Sequence, residues 1–187
     1  MNTLVSFLIA VNMAGHNKIN MTGLTELFES IGFRQSETYI QSGNVIFNNI
    51  NDLNEDDVAS LIENTLKDRF GLTVPAMIRN IDEIKQIISE NPFLDEKGFD
   101  PAKMAVMFLR EEPGEDQIMK VNDVNYPPDK FNISGKEIFV YCPNGFGKTK
   151  LYTNFFENKM KVIGTARNWN TVNTILEIAE QKQSHEI

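Results

Sequence analysis

The side chains best equipped for chemistry in this sequence stand in four short polar stretches, at residues 12–18, 41–44, 143–149 and 165–170. The most suggestive is Pro143-Asn144-Gly145-Phe146-Gly147-Lys148-Thr149, which follows an apolar run and ends in Gly-Lys-Thr like a phosphate-cradling loop. Two residues argue against a nucleoside-triphosphate loop. Cys142 stands where the first glycine of that pattern belongs, and Pro143 withdraws a backbone N–H from any cradle. A milder anion site survives: free N–H groups at a helix start, beside Lys148, Lys150 and Arg167. The plainer alternative is that Gly145 and Gly147 only make a turn and the lysines are solvated. Arg167 could grip an anion through its fork of donors. Asn168 suits the cap of the last helix, and the lone tryptophan, Trp169, suits packing of that helix onto a sheet.

The stretch at 12–18 holds Asn12, His16, Asn17 and Lys18, and that at 41–44 holds Gln41, Ser42 and Asn44. His16 is the one candidate general base outside the C-terminal tail, but no Ser-His-Asp set accompanies it, and a lone loop histidine is usually just solvated. Cys142 would need a depressed pKa to act as a nucleophile, and at a strand end a small buried role suits it better. No catalytic residue is therefore assigned. One cysteine and two histidines make a poor soft-ligand set, so neither a metal nor another cofactor is expected.

These stretches need elements to position them. Residues 4–11 form a continuous apolar run that reads as a central strand. Leu24, Leu27, Phe28 and Ile31 recur at helical spacing, with Gly32 as a stop. Two strands at 38–41 and 45–47 flank a turn at Ser42-Gly43-Asn44. A helix with Val58, Leu61, Ile62, Leu66 and Phe70 inward, capped by Asp52 or Asn54, leads to a strand at 72–78. That order is βαββαβ, the split-βαβ or ferredoxin-like pattern. A helix opening at Asn80-Ile81-Asp82-Glu83 and a proline-containing segment at 91–101 form a connector.

The order then recurs. A strand at 104–109, a weak helix at 114–121 and a hairpin of 130–133 with 137–141 come first. An amphipathic helix around Phe155 and Phe156, a short strand at 161–164 and a last helix carrying Val172, Ile175, Leu176 and Ala179 follow. The fold class is α+β: two tandem βαββαβ plaits with antiparallel sheets and an extra C-terminal helix. The expected division is 1–79, a helical connector at 80–101, and 102–187. With strands ordered 4-1-3-2, the loops at 12–18 and 41–44 meet at one sheet edge of the first plait. Those at 142–148 and 165–170 meet at one edge of the second.

Bulk composition bounds the function. The 187 residues are 41% hydrophobic and 24% charged, ordinary for a globular chain. Eighteen basic against 26 acidic residues leave a net charge of −8, the wrong sign for a nucleic-acid footprint. Tyr39 could stack a base, but a second well-placed sheet aromatic is missing. A single cysteine fits a reducing cytoplasm. The run at 4–11 lacks a basic flank, since the first Lys or Arg is Lys18, so it reads as a strand rather than a signal peptide. No stretch approaches the ~20 apolar residues of a membrane span.

Three motifs carry a family resemblance. They are Ala10-Val11-Asn12-Met13-Ala14-Gly15-His16-Asn17-Lys18-Ile19-Asn20-Met21, Thr38-Tyr39-Ile40-Gln41-Ser42-Gly43-Asn44-Val45-Ile46-Phe47 and Thr165-Ala166-Arg167-Asn168-Trp169-Asn170-Thr171-Val172. Together, in this order, they resemble the bacterial domain-of-unknown-function family 1697, over residues 4–179. The resemblance implies two ferredoxin-like subdomains and no established activity, substrate or catalytic residue. It also exposes a departure. Ile9-Ala10-Val11-Asn12-Met13-Ala14-Gly15 stands where an Arg-Gly-Ile-Asn-Val-Gly-Gly pattern is usual in the family, so an anion held there by that arginine would be held differently here.

The expected function is a cytoplasmic binding module for a small anionic or phosphorylated ligand. One cluster is Asn12, His16, Asn17, Lys18, Gln41, Ser42 and Asn44; the other is Lys148, Arg167 and Asn168. The alternatives are a hydrolase or transferase acting on such a ligand, with Lys148 and Arg167 stabilising charge, and a protein-interaction domain using a sheet edge.

Overall fold

The apolar run near the N-terminus becomes strand β1 (Asn2–Leu8), buried at every position after Asn2. A central strand covered on both faces has no solvent side, which is why polar alternation is missing from it. The computed structural model describes residues 2–9, 11 and 19–184. These divide into two compact units, Met1–Lys85 with Thr174–Ile187, and Gln86–Asn173.

In the first unit β1 is followed by α1 (Met21–Ser30), β2 (Arg34–Tyr39), β3 (Asn44–Asn49), α2 (Glu55–Phe70) and β4 (Ala76–Asn80), and the boundary at Lys85 falls within α3 (Ile81–Ser89). The sheet order is β2-β3-β1-β4, antiparallel at each pairing. Helix α2 has a full set of end signals. Asn54 accepts the Asp57 N–H at 2.9 Å, Glu55, Asp56 and Asp57 fill the first turn, Lys67 and Arg69 the last, and Gly71 closes it at φ 66°. Helices α1 and α2 cover the sheet face made by Leu4, Leu8, Val45, Phe47, Ala76 and Ile78. Phe28, Phe33 and Phe47 meet there with ring centroids 4.5–6.0 Å apart.

The opposite face carries Val5, Phe7, Ile46, Met77 and Arg79, all buried. Glu37, opposite Ile46 in the ladder, belongs to this face and meets Lys182 at 2.8 Å. Lys182 lies in the last helix, α6 (Trp169–Ser184), whose residues from Thr174 onward belong to this unit and reach this face at Glu37.

The second unit holds β5 (Met104–Leu109), α4 (Glu115–Asn122), β6 (Lys130–Ser134), β7 (Glu137–Tyr141), α5 (Thr153–Met160) and β8 (Gly164–Asn168), with sheet order β6-β7-β5-β8. Its helix-side core is built on Met107, Leu109, Ile138, Val140, Phe156 and Met160. The chain is thus α+β with two tandem ferredoxin-like plaits, each a four-stranded antiparallel sheet.

Several element bounds differ from those the sequence suggests. Strand β2 occupies Arg34–Tyr39 rather than 38–41, because Ile40 turns to φ 51°, and the polar Arg-Gln-Ser-Glu segment can form an edge strand with no apolar signal. Strand β4 begins at Ala76, after Pro75, rather than at 72. The last strand is Gly164–Asn168, not 161–164. Lys161 instead ends α5 in the left-handed region at φ 59°, and Arg167 and Asn168 belong to a strand rather than to a helix start.

Candidate functional site

At the β1 end of the first plait, the Leu8 N–H donates to the Gly43 carbonyl at 2.9 Å. A methyl group at Gly43 would sit 2.9 Å from Leu8 Cβ and 3.1 Å from Val11 Cβ. The chain leaving β1 therefore runs against the turn between β2 and β3. Within that turn Asn44 is fully buried, and its amide donates to the Tyr39 carbonyl at 3.1 Å and to Ser42 Oγ at 2.9 Å. Asn44 thus closes the hairpin, Ser42 is half-buried, and Gln41 is exposed. Asn12, His16, Asn17 and Lys18 lie outside the described residues.

In the second plait β7 and β8 both pair antiparallel to β5, so they run parallel to each other. Their C-terminal ends face Met104 and Ala105 at one sheet edge, Tyr141 opposite Met104 and Asn168 opposite Ala105. The glycine-rich loop leaving β7 does not open an α-helix. Phe146–Lys148 makes a single 3-10 turn after Gly145 at φ 84°, and α5 starts only at Thr153. The loop therefore does not present an α-helix N-terminus beside Lys148. What the loop does is separate two pockets. Its hydrogen bonds set its shape: the Gly145 N–H to the Cys142 carbonyl at 2.7 Å, the Leu151 N–H to Thr149 Oγ1 at 3.0 Å, and the Tyr152 hydroxyl to the Phe146 carbonyl at 2.9 Å.

On one side Asn144, Lys148 and Lys150 line a pocket of 380 Å³ with Asn125, Tyr126, Pro127, Pro128 and Asp129. Lys150 Nζ lies 5.1 Å from the Tyr126 ring centroid, within cation–π range. Tyr126 is itself braced edge-on by Phe155, centroids 6.1 Å apart. Two ammonium groups and an amide can hold an anion, and the Asp129 carboxylate can accept from a hydroxyl or amine on the same ligand. On the other side Phe146, Leu151, Tyr152, Thr153 and Phe156 wall a pocket of 200 Å³ whose floor is Ala105, Met107, Val140, Ala166 and Asn168.

Lys148, Arg167 and Asn168 do not form one cluster. Lys148 lines the polar pocket and Asn168 the apolar one. Arg167 points to the opposite sheet face, since side chains alternate along a strand. It is 7% exposed and donates to Thr165 Oγ1 at 2.7 Å and to the Ala166 carbonyl at 2.9 Å. Burial lowers its pKa to about 10. Its counterpart in the first plait is Arg79, which stands opposite Val5 as Arg167 stands opposite Val106. Arg79 is 2% exposed and likewise donates to the preceding carbonyl, that of Ile78, at 2.7 Å. The two strands thus end in the same pair, Arg79-Asn80 and Arg167-Asn168, followed by an apolar residue that starts a helix. That short internal repeat was readable in the sequence and would have brought out Arg79.

Lys150, expected beside Lys148, does share its pocket, whereas the parts of Tyr126 and Asn144 emerge only from the fold, although Tyr126-Pro127-Pro128-Asp129 is a turn signal. Cys142 is buried in the helix-side core. Burial pushes its thiol up, opposed by a hydrogen bond with Thr149 and reinforced by the Asp129 carboxylate. It rests as a thiol, the unreactive form.

These features define a two-plait α+β protein with a cationic pocket beside a glycine-rich loop. The chain belongs to the family described as Protein of unknown function (DUF1697), which it matches over residues 1–139. Among solved structures it is similar to the conserved bacterial protein SP0830 from Streptococcus pneumoniae, with a TM-score of 0.78 and 18% sequence identity, over 96% of this chain and 99% of that one. At that identity the likeness establishes the fold. No curated protein sequence matches the chain.

Proposed function

We propose that this protein is a binding module for a small anionic or phosphorylated ligand, taken up in the pocket that Lys148 and Lys150 share with Asn144 and Tyr126. The observation that supports it most is local charge. In a chain of net charge −8, two lysines from one loop line the same pocket, and one of them is placed over an aromatic ring. Asp129 in the same lining favours a ligand that carries a donor as well as the anion, such as a hydroxylated phosphate or carboxylate. The single cysteine fits a cytoplasmic setting.

A thermal-shift series with inorganic phosphate, sugar phosphates, nucleotides and hydroxycarboxylates tests the reading. A ligand at about ten times its Kd stabilises by about 1.4 kcal/mol, which moves Tm by about 3–5 °C for a chain of this size. The shift should vanish in Lys148→Ala/Lys150→Ala and shrink with added salt. Both lysines are exposed, so the double variant should keep the parent Tm without ligand. No stabilisation by any of these anions at millimolar concentration, or an equal shift in the double variant, would overturn the proposal.

A further inference from the structure

The two plaits offer an internal comparison, because the ladder pairs equivalent residues. Ser6 opposite Ile78 corresponds to Met107 opposite Ala166, and Leu4 opposite Asn80 corresponds to Ala105 opposite Asn168. In the first plait Leu4 and Ile78 fill the space under α2, which runs for 16 residues. In the second, both bulky positions are alanines and the corresponding helix α5 has only eight residues, half the reach. The space between the sheet and the helix layer is therefore left open. Ile78 is 3% exposed, whereas its counterpart Ala166 is exposed to solvent.

The hollow is walled rather than flat. Phe146 and Tyr152 stand on its loop side, and the Tyr152 hydroxyl bond to the Phe146 carbonyl closes that wall on itself. Its volume of 200 Å³ exceeds that of the apolar cavities of about 150 Å³ that take up benzene. Asn168 brings a side-chain amide to an otherwise mainly apolar lining.

We infer that this pocket binds a single six-membered ring, aromatic or alicyclic and uncharged, carrying one hydrogen-bonding substituent that meets Asn168. It is a site separate from the lysine-lined pocket, and it uses shape and apolar burial where that pocket uses charge.

The probes are benzyl alcohol and cyclohexanol, added to the full chain while its alanine and methionine methyl groups are followed by NMR. Saturable shifts are expected at Ala105, Ala166 and Met107, unchanged in Lys148→Ala/Lys150→Ala, so failure here and failure of the anion reading are separable. Ala166→Ile and Ala105→Leu graft the first plait's residues and should weaken ring binding at least about tenfold. Ala166→Ile alone keeps the test sound, because an exposed edge-strand position accepts isoleucine. Asn168→Ala should weaken both alcohols and leave toluene unaffected. Three outcomes would overturn the inference: no saturable shift at millimolar probe, equal binding by the filled variant, or the same shifts arising from protein concentration alone, which would mean a second copy occupies the pocket.

Discussion

Arg167 is a cation held where cations are costly. The residue is 7% exposed, and burial brings its pKa down to about 10, still far enough above neutrality to leave it charged at pH 7. The folded value lies below that of the free group. The charge therefore weighs against the fold at any pH below about 10, and that penalty eases only as pH rises through 10. Its bulk and its donors to Thr165 and Ala166 help to keep an arginine there. Arg167→Ala should cost about 2–4 kcal/mol in urea unfolding, in the range of large-to-small core changes. Arg167→Met should recover most of that loss, because a buried charge can be replaced by apolar volume with little penalty. Equal losses in the two variants would show that the charge itself is required.

At the scale of elements, the β2–β3 turn is where the first plait is most tightly specified. Gly43 takes φ 74° and lies against Leu8, while Asn44 ties the hairpin shut from inside. A residue with a side chain meets two penalties there, the left-handed backbone and a methyl 2.9 Å from Leu8 Cβ. Gly43→Ala is expected to cost about 1–3 kcal/mol, with the urea slope unchanged. A value within experimental error of the parent would mean that the turn relaxes freely away from β1. The helix layers differ in the opposite sense. The fully capped 16-residue α2 covers its sheet, and the eight-residue α5 leaves β8 exposed at Ala166 and Asn168. The second plait's pockets exist because its helix is short and its loop long.

Over the whole molecule, helix α6 begins in one compact unit and ends in the other. From Thr174 onward it supplies buried Ile175 and Ala179, and the Lys182 that pairs with Glu37, to the first unit. Lys85 also meets Glu180 at 3.0 Å, a pair too exposed to matter much. A chain ending at Asn173 should therefore expose apolar surface on the first plait. It should unfold at lower temperature than the full chain and bind a hydrophobic dye while retaining strand signal by circular dichroism. Parent-like unfolding and no dye binding would mean that α6 adds nothing to that sheet. Among the described residues no helix is long and apolar enough to cross a membrane.

The amino-acid sequence by itself determined the element order and the strand order, because apolar period and turn residues are local signals. Residues 104–109 alternate with nothing polar, Gly32 and Gly71 end helices, and Ser134-Gly135 turns a hairpin. It misplaced β2 and β8, whose residues are polar or carry a buried arginine; there the strand is held by its neighbour's ladder, not by its own hydrophobicity. Only the tertiary structure decided which polar residues share a pocket. Arg167 and Asn168 are adjacent in the chain yet face opposite sides of a sheet, and a two-residue period turns sequence neighbours apart. Tyr126 and Lys150 are distant in the chain and meet because two loops end at the same sheet edge.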